Sequence, residues 1–318
     1  MALVQRQLTL DETCPVHQYH GSVPEILHAQ LASDVGETGG VVMLVGAPDT
    51  GKSTLARQIM AKGVEAGRSV AYVDADVGQS TVGPPSCVGL RWIKTEADLN
   101  DLSTADDMRF VGSTTPERLV LQQVLATATL VDVARRSADL VVIDTTGAIS
   151  GVIGQTLKFH KMELCRPELV VALQRGAEME PIIGMLRRFF AARVEALPVH
   201  PNVAPVSPDE RSERRRAGFA VAFQDPLERW RVRPTVFAPT ISAGLDLARL
   251  DGMLVGIQDG EGHCLGLGVL EYEEGVLRVI TNCGEGMQGL RLGSLRIDLD
   301  DHRAERVNLR EVMFGLDR

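Results

Sequence analysis

Residues 41–54 read VVMLVGAPDTGKST. Val41 to Val45 form an unbroken apolar run, as in a strand buried on both faces. The run stops at Gly46, and a helix is expected to open at Lys52. Between them, Gly46 to Ser53 fits G-x-x-x-x-G-K-[ST], a loop that holds phosphate. The spacing has a chemical reason. Gly46 and Gly51 let the backbone curl so that successive N–H groups of Ala47, Pro48's neighbours Asp49 and Thr50, and the helix start at Lys52, Ser53 and Thr54 surround one hollow. Lys52 is placed to reach the outer phosphates, and the Ser53 hydroxyl is suited to Mg²⁺. A glycine turn alone would not need a strand before it, a helix after it and Lys-Ser in register. The stretch therefore points to a nucleotide-binding α/β protein.

The next segment, SVAYVDADVGQST (69–81), supplies a second strand, Ser69 to Val73, that ends in Asp74-Ala75-Asp76. Carboxylates at the carboxyl end of a parallel strand face the crevice where ligands bind. One of the pair can hold the hydration shell of a metal ion and the other can take a proton from an attacking hydroxyl; an acidic turn is the plainer reading. Gln79 follows within reach of an outer phosphate. A third buried run, DLVVIDTTG (139–147), ends in Asp144, so Asp74/Asp76 and Asp144 compete for the metal role. Residues 151–164 read as a helix carrying Gln155, Lys158 and Lys161. The two lysines lie one turn apart, either as a phosphate-facing pair or on a solvated face. Glu168 to Leu173 and Val194 to Leu197 continue the series of buried runs.

Between these strands, 84–107 reads as a loop or partial hairpin and Met108 to Val111 as a short strand. A helix is expected over Glu117–Arg135, with Thr115 as its cap and Pro116 in its first turn. Further on, PVSPDERSERRRAGFAVAF (205–223) places Arg211, Arg215, Phe219 and Phe223 on one i, i+4 row. Arginines at one end and aromatic anchors at the other suit a lid over phosphates, against the plainer reading of a solvated charged helix. From residue 236 the pattern changes to short β-rich runs with Gly turns. The expected architecture is a three-layer α/β domain with a mainly parallel sheet, residues 38–235, followed by a small all-β domain, 236–318, and preceded by the segment 1–37.

Composition sets outer bounds. The chain has 318 residues, 44% hydrophobic and 24% charged, with net charge −9. That balance argues against non-specific coating of nucleic acid. No apolar run reaches the ~20 residues of a membrane span, and no secretion signal is evident. Five dispersed cysteines suggest reduced thiols in a cytoplasm. Cys14, His17 and His20 form C-x-x-H-x-x-H, without a fourth ligand at zinc-site spacing. Val23 to Leu31 is read as a short helix.

Several separated pieces resemble one family, the P-loop polynucleotide 5′-hydroxyl kinases, which includes the pre-mRNA cleavage-complex and ribosomal-RNA-processing kinases. They are GAPDTGKST (46–54), VDADVGQS (73–80), GSTTP (112–116), DTTG…G…LK (144–158), the arginine row that starts at Ser207, and VGIQDGEGHCLGLGVL (255–270). The resemblance implies ATP or GTP as phosphate donor, Mg²⁺, and the 5′-hydroxyl of RNA or DNA as acceptor; it names no protein partner. It implies Lys52, Asp74, Asp76, Arg211 and Arg215 as catalytic residues, one of the two aspartates acting as general base. Ser53, Asp76, Gln79 and Asp144 would serve the metal. Thr115 and Pro116, at the start of a clasp written T-P-x-x-N in the family, would hold substrate with Gln155 and Lys158. Three departures stand out: Leu119 replaces the clasp asparagine, Ala148 stands where eukaryotic members carry a base-stacking aromatic, and the eukaryotic N-terminal β domain has no counterpart in residues 1–37. A nucleotide-gated scaffold or ATPase switch is the competing reading. A GTPase is disfavoured because no Asn-Lys-x-Asp occurs.

Overall fold

The computed structural model describes residues 23–241 and 244–314. Cys14, His17 and His20 lie outside the described residues. The chain begins with α1 (Val23–Thr38), β1 (Gly40–Gly46), α2 (Lys52–Glu65) and β2 (Val70–Ala75). It continues through β3 (Cys87–Ile93), α3 (Glu96–Asn100), β4 (Asp107–Phe110), α4 (Val120–Arg135) and β5 (Leu140–Thr145). Then come α5 (Gly151–Cys165), β6 (Leu169–Gln174), α6 (Glu180–Phe189), β7 (Arg193–Pro198) and α7 (Pro208–Ala222). The remainder is β8 (Glu228–Arg231), β9 (Met253–Gln258), β10 (Cys264–Glu273), β11 (Val276–Thr281), β12 (Gly289–Ile297), β13 (Ala304–Arg306) and α8 (Leu309–Phe314).

The first sheet has the order β4-β3-β2-β5-β1-β6-β7. Its β2, β5, β1, β6 and β7 are parallel, and β3 and β4 add an antiparallel edge. The strand at its centre explains the three layers. Side chains alternate across a strand. Val41, Met43 and Val45 therefore join Leu130, Met162 and Ile182 from α4, α5 and α6 on one face. Val42 and Leu44 join Leu31, Val35, Leu55 and Ile59 from α1 and α2 on the other. Register aligns Asp74 and Asp144 as neighbours on β2 and β5 at the carboxyl edge.

Two expected helices have different bounds. The helix at Val23 runs to Thr38 rather than ending at Leu31, because Leu31, Ala32 and Val35 are all buried against α2. Gly36 permits the contact: a Cβ there would meet Lys62 and Gly63 backbone within 2.8 Å. The helix expected from Glu117 starts at Val120 instead, so Thr115 and Pro116 do not form its cap. Arg118 has φ +67° and the Leu119 amide closes a turn onto the Pro116 carbonyl at 3.1 Å. A residue in the left-handed region cannot continue a right-handed helix.

The second sheet is antiparallel, in the order β13-β12-β9-β10-β11-β8. Its edge strand β8 comes from upstream of residue 236. Phe219 and Phe223 of α7 are buried with Cys87, Phe110, Leu254, Val269 and Leu295, in a seam between the two sheets. Each buried phenylalanine contributes ~1.5–3 kcal/mol, enough to hold one end of α7 on the body. Among the described residues no helix is long and apolar enough to cross a membrane, and the four described cysteines are free thiols.

Candidate active site

Gly46 ends β1 where a Cβ would lie 2.7 Å from Thr50 Oγ1 and 2.8 Å from the Leu173 carbonyl. Only glycine fits there. Asp49 (φ +54°) and Gly51 (φ +84°) complete the curl, and α2 opens at Lys52. The turn after β5 closes over this loop, since a Cβ on Gly147 would touch Pro48 N at 2.5 Å. Lys52 is buried, and its ammonium donates to the carbonyls of Ala47 (2.8 Å) and Gly46 (3.2 Å).

Ser53 Oγ donates to Asp144 Oδ2 at 2.5 Å, and the Tyr72 hydroxyl donates to the same oxygen at 3.2 Å. Asp144 Oδ1 is buried with no hydrogen-bond partner among the described residues. Burial raises the Asp144 carboxyl above its usual range, against the opposing pull of Lys52 and Ser53. An orphaned carboxylate oxygen beside a serine hydroxyl is chemically suited to a hard divalent cation.

Asp74 and Asp76 have different surroundings. Asp74 is buried. Its Oδ1 accepts from the Asp76 amide (3.0 Å), and its Oδ2 accepts from the amides of Thr81 (2.5 Å) and Val82 (3.1 Å). Burial and then Asp144 push its carboxyl up to about 7, against these amides. Asp74 thus staples the loop that follows β2. Asp76 is half-buried; its Oδ1 accepts from the Gly78 (3.1 Å) and Gln79 (3.2 Å) amides. Its Oδ2 takes no hydrogen bond from the described residues, leaving an accessible acceptor at the crevice.

Ser207 and Glu210 form a capping box at the start of α7. From there Arg211 forms an ion pair with Asp49 of the phosphate loop. Asp49 also accepts from the Val206 amide at 3.0 Å, while its carbonyl accepts from Arg175. Gln79 Nε2 donates to the Gly78 carbonyl (2.7 Å) and the Arg211 carbonyl (3.2 Å). It therefore links the loop after β2 to α7. Arg215, one turn beyond Arg211, is half-buried; burial, then Arg306 and Arg211, lower its guanidinium from the usual value.

Residues 46–225 match the family model described as "mRNA cleavage and polyadenylation factor CLP1 P-loop". The chain belongs to the CLP1 P-loop family. It is 29% identical to the polyribonucleotide 5′-hydroxyl-kinase of Pyrococcus horikoshii, over 81% of this chain and 86% of that one. It is 27% identical to the corresponding kinase of Methanocaldococcus jannaschii, over 81% and 87%. The rat polyribonucleotide 5′-hydroxyl-kinase Clp1 is 32% identical over 56% of this chain and 44% of its own length. Among solved structures, the Clp1p–Pcf11p complex superposes with a TM-score of 0.64 at 14% identity, covering 86% of this chain and 78% of that one. That likeness speaks for the fold.

Within the CLP1 frame, some expected substrate residues sit elsewhere. Lys158 is fully buried, neither solvated nor open to substrate. It donates to Thr145 Oγ1 (2.8 Å) and the Thr146 carbonyl (2.6 Å), and Thr145 Oγ1 donates on to the Leu44 carbonyl (2.7 Å). Lys158 is thus a strut beneath the turn that packs on the phosphate loop. Lys161 is also fully buried, and its ammonium has no partner among the described residues. Burial, then Lys161 and Lys52, lower Lys158 well below the usual lysine value; burial brings Lys161 down to about 8. Their spacing places both on one face of α5, but that face carries Gly154, Leu157 and Met162 into the core. Gln155 is exposed, Thr115 half-buried and Pro116 buried. Leu119, expected at the clasp position, packs into the core with Val77 and Val111.

Two groups were not singled out from sequence. Gln123 of α4 is buried and donates to the Ala75 carbonyl at 3.0 Å, tying α4 to the end of β2. Tyr72, read only as a strand residue, supports Asp144. A polar side chain at an otherwise apolar position was the available signal in both cases.

Proposed function

We propose that this chain transfers the γ-phosphate of ATP or GTP to the 5′-hydroxyl end of a polynucleotide, with RNA as the principal acceptor. The observation that carries the reading is one crevice edge: Ser53 hydrogen-bonded to Asp144, with Asp76 Oδ2 free on the adjoining loop. The polyribonucleotide kinases that match over most of the chain support the acceptor class.

In this reading the loop amides and Lys52 bind the donor's phosphates. A phosphate oxygen is a charged acceptor, so Lys52 exchanges the neutral Gly46 and Ala47 carbonyls for it. Ser53 Oγ and Asp144 Oδ1 would hold Mg²⁺, which when bound neutralises charge on the phosphate oxygens. Asp76 orients the 5′-hydroxyl and accepts its proton. The 5′-oxygen forms a bond to the γ-phosphorus, and the bond from that phosphorus to the β,γ-bridging oxygen breaks, releasing the nucleoside diphosphate. Arg211 and Arg215 stabilise charge on the transferring group. Asp74 keeps the Asp76 loop in place, and Gln79 sets that loop against α7. Thr115 contacts the terminal nucleotide.

Label from γ-labelled ATP appearing on the 5′ end of RNA or DNA oligonucleotides, and falling ~10³-fold in Lys52→Ala, is the expected result. ATP hydrolysis with no labelled oligonucleotide would replace this reading with the ATPase switch.

A further inference from the structure

Beside the loop after β4 lies a groove of about 910 Å³. Thr115 and Arg118 line one wall; Arg306 at the end of β13, Asn308 just after it and Arg310 in the first turn of α8 line the other. Among the described residues Glu117 is its one carboxylate. The junction is built rather than incidental. Gly112 O accepts from the Ser294 amide (2.7 Å) and hydroxyl (3.1 Å), and the Arg291 guanidinium donates to the Phe110 carbonyl at 3.2 Å.

The chain has net charge −9, yet the described lining of this groove carries Arg118, Arg306 and Arg310 against Glu117 alone. Arg211, Arg216 and Arg303, on α7 and beside β13, each pair with a carboxylate: Asp49, Glu213 and Asp301. Among the described residues Arg118, Arg306 and Arg310 form no ion pair, and neither does Arg215, which lies within electrostatic reach of Arg306. Like charges placed together without partners are unfavourable unless an anion joins them. The groove also continues from the crevice. A Cβ on Gly78 would lie 2.6 Å from the Thr114 carbonyl and 3.6 Å from Asp76 Oδ1, so the loop bearing Thr115 abuts the Asp76 loop.

We infer that this groove binds the backbone of single-stranded RNA beyond its reacting end, with Arg118, Arg306 and Arg310 contacting successive phosphates. The antiparallel sheet then supplies half of the polynucleotide site. This inference rests on the proposed acceptor, and its chemistry is that of phosphodiesters on a strand. Phosphate contacts add affinity without reading sequence.

The test uses the full chain and the double variant Arg306→Gln/Arg310→Gln. Both side chains are exposed, so folding is retained and is checked by the melting temperature. Binding of a 3′-fluorescein, twelve-nucleotide 5′-hydroxyl RNA is followed by anisotropy across a KCl series. Transfer is compared between that RNA and a dinucleotide. Loss of two contacts is expected to weaken binding about tenfold and to flatten the log–log salt slope by about 1.4. The ratio of kcat/KM for the long acceptor to that for the dinucleotide should fall by a similar factor. Arg306→Glu should weaken binding further. Wild-type affinity, slope and ratio in the double variant would overturn the groove while leaving the kinase reading intact. Wild-type RNA binding through the groove without transfer would support the groove and overturn the kinase reading.

Discussion

Two loops leave the carboxyl edge of the same parallel sheet and enter helices, yet they are held in different ways. The loop 46–53 closes its backbone on itself, with Asp49 and Ser53 reaching outward, to Arg211 and Asp144. Lys52 donates to the carbonyls of Gly46 and Ala47, and the Thr50 hydroxyl donates to Ala47 at 3.0 Å. The loop 112–119 closes on another part of the chain. Its Gly112 carbonyl accepts twice from Ser294, and Gly112 itself lies against Gly293. Self-closure is encoded within eight residues and produces a phosphate cradle wherever a strand and helix flank it. Closure on a distant strand lets the second loop form one wall of a groove whose other wall belongs to the antiparallel sheet. The donor is handled by the first arrangement; the proposed acceptor strand is handled by the second.

The largest structural effect should come from breaking the second closure. Gly112 has φ +86°, and an added Cβ would sit 2.7 Å from Gly293 Cα and 2.9 Å from Phe110 Cε1. Gly112→Ala is expected to cost about 2–4 kcal/mol, from left-handed backbone and overpacking together. Gly67→Ala shares the backbone sign (φ +72°) but meets nothing within 4 Å, so about 1 kcal/mol is expected. Urea unfolding of the two variants separates these terms. Equal losses would show that the inter-sheet contact contributes nothing.

A smaller effect should come from the buried face of α5. Lys161 is lowered from 10.5 to about 8 by burial. As pH rises from about 8 to 10.5, the unfolded chain binds more protons at this site than the folded chain, so stability rises through that window. As pH falls through 8 the folded state carries a buried charge, and that stability is lost. Lys161→Met is therefore expected to stabilise the nucleotide-free protein by about 1–3 kcal/mol at pH 7. The advantage should vanish above about pH 10.5. Melting temperatures that differ by a constant amount across the window would contradict this origin.

The same contrast explains which parts of the fold are legible in the sequence. The strand–loop–helix at 40–65 is specified by neighbours in sequence: the strand matches within a residue at each end, and the helix opens at Lys52 as expected. The buried runs at 69, 139 and 168 likewise announced a parallel sheet, because each is apolar on both faces. The spacing of Lys158 and Lys161 placed them on one side of α5 but could not say that this side points inward. That depends on Thr145 and on the helices stacked over β5. The start of α4 lies beyond the expected cap: Pro116 and Thr115 are good capping residues locally, but Arg118 is left-handed and the Gly112 carbonyl is held by Ser294. Arg118, Arg306 and Arg310 carried no signal at all. Residues nearly 190 positions apart acquire a shared meaning only when β12 and β13 fold against the loop after β4.

In the proposed reaction Asp76, on the loop that Asp74 holds, accepts the proton of a 5′-hydroxyl. The direct measurement is single-turnover transfer from γ-labelled ATP to a 5′-hydroxyl RNA, by the wild type and by Asp76→Asn, with ATP affinity measured on the same samples. A fall in transfer of about 10²–10⁴-fold, with ATP affinity nearly unchanged, is the expected result. Transfer by Asp76→Asn at the wild-type rate would contradict the account.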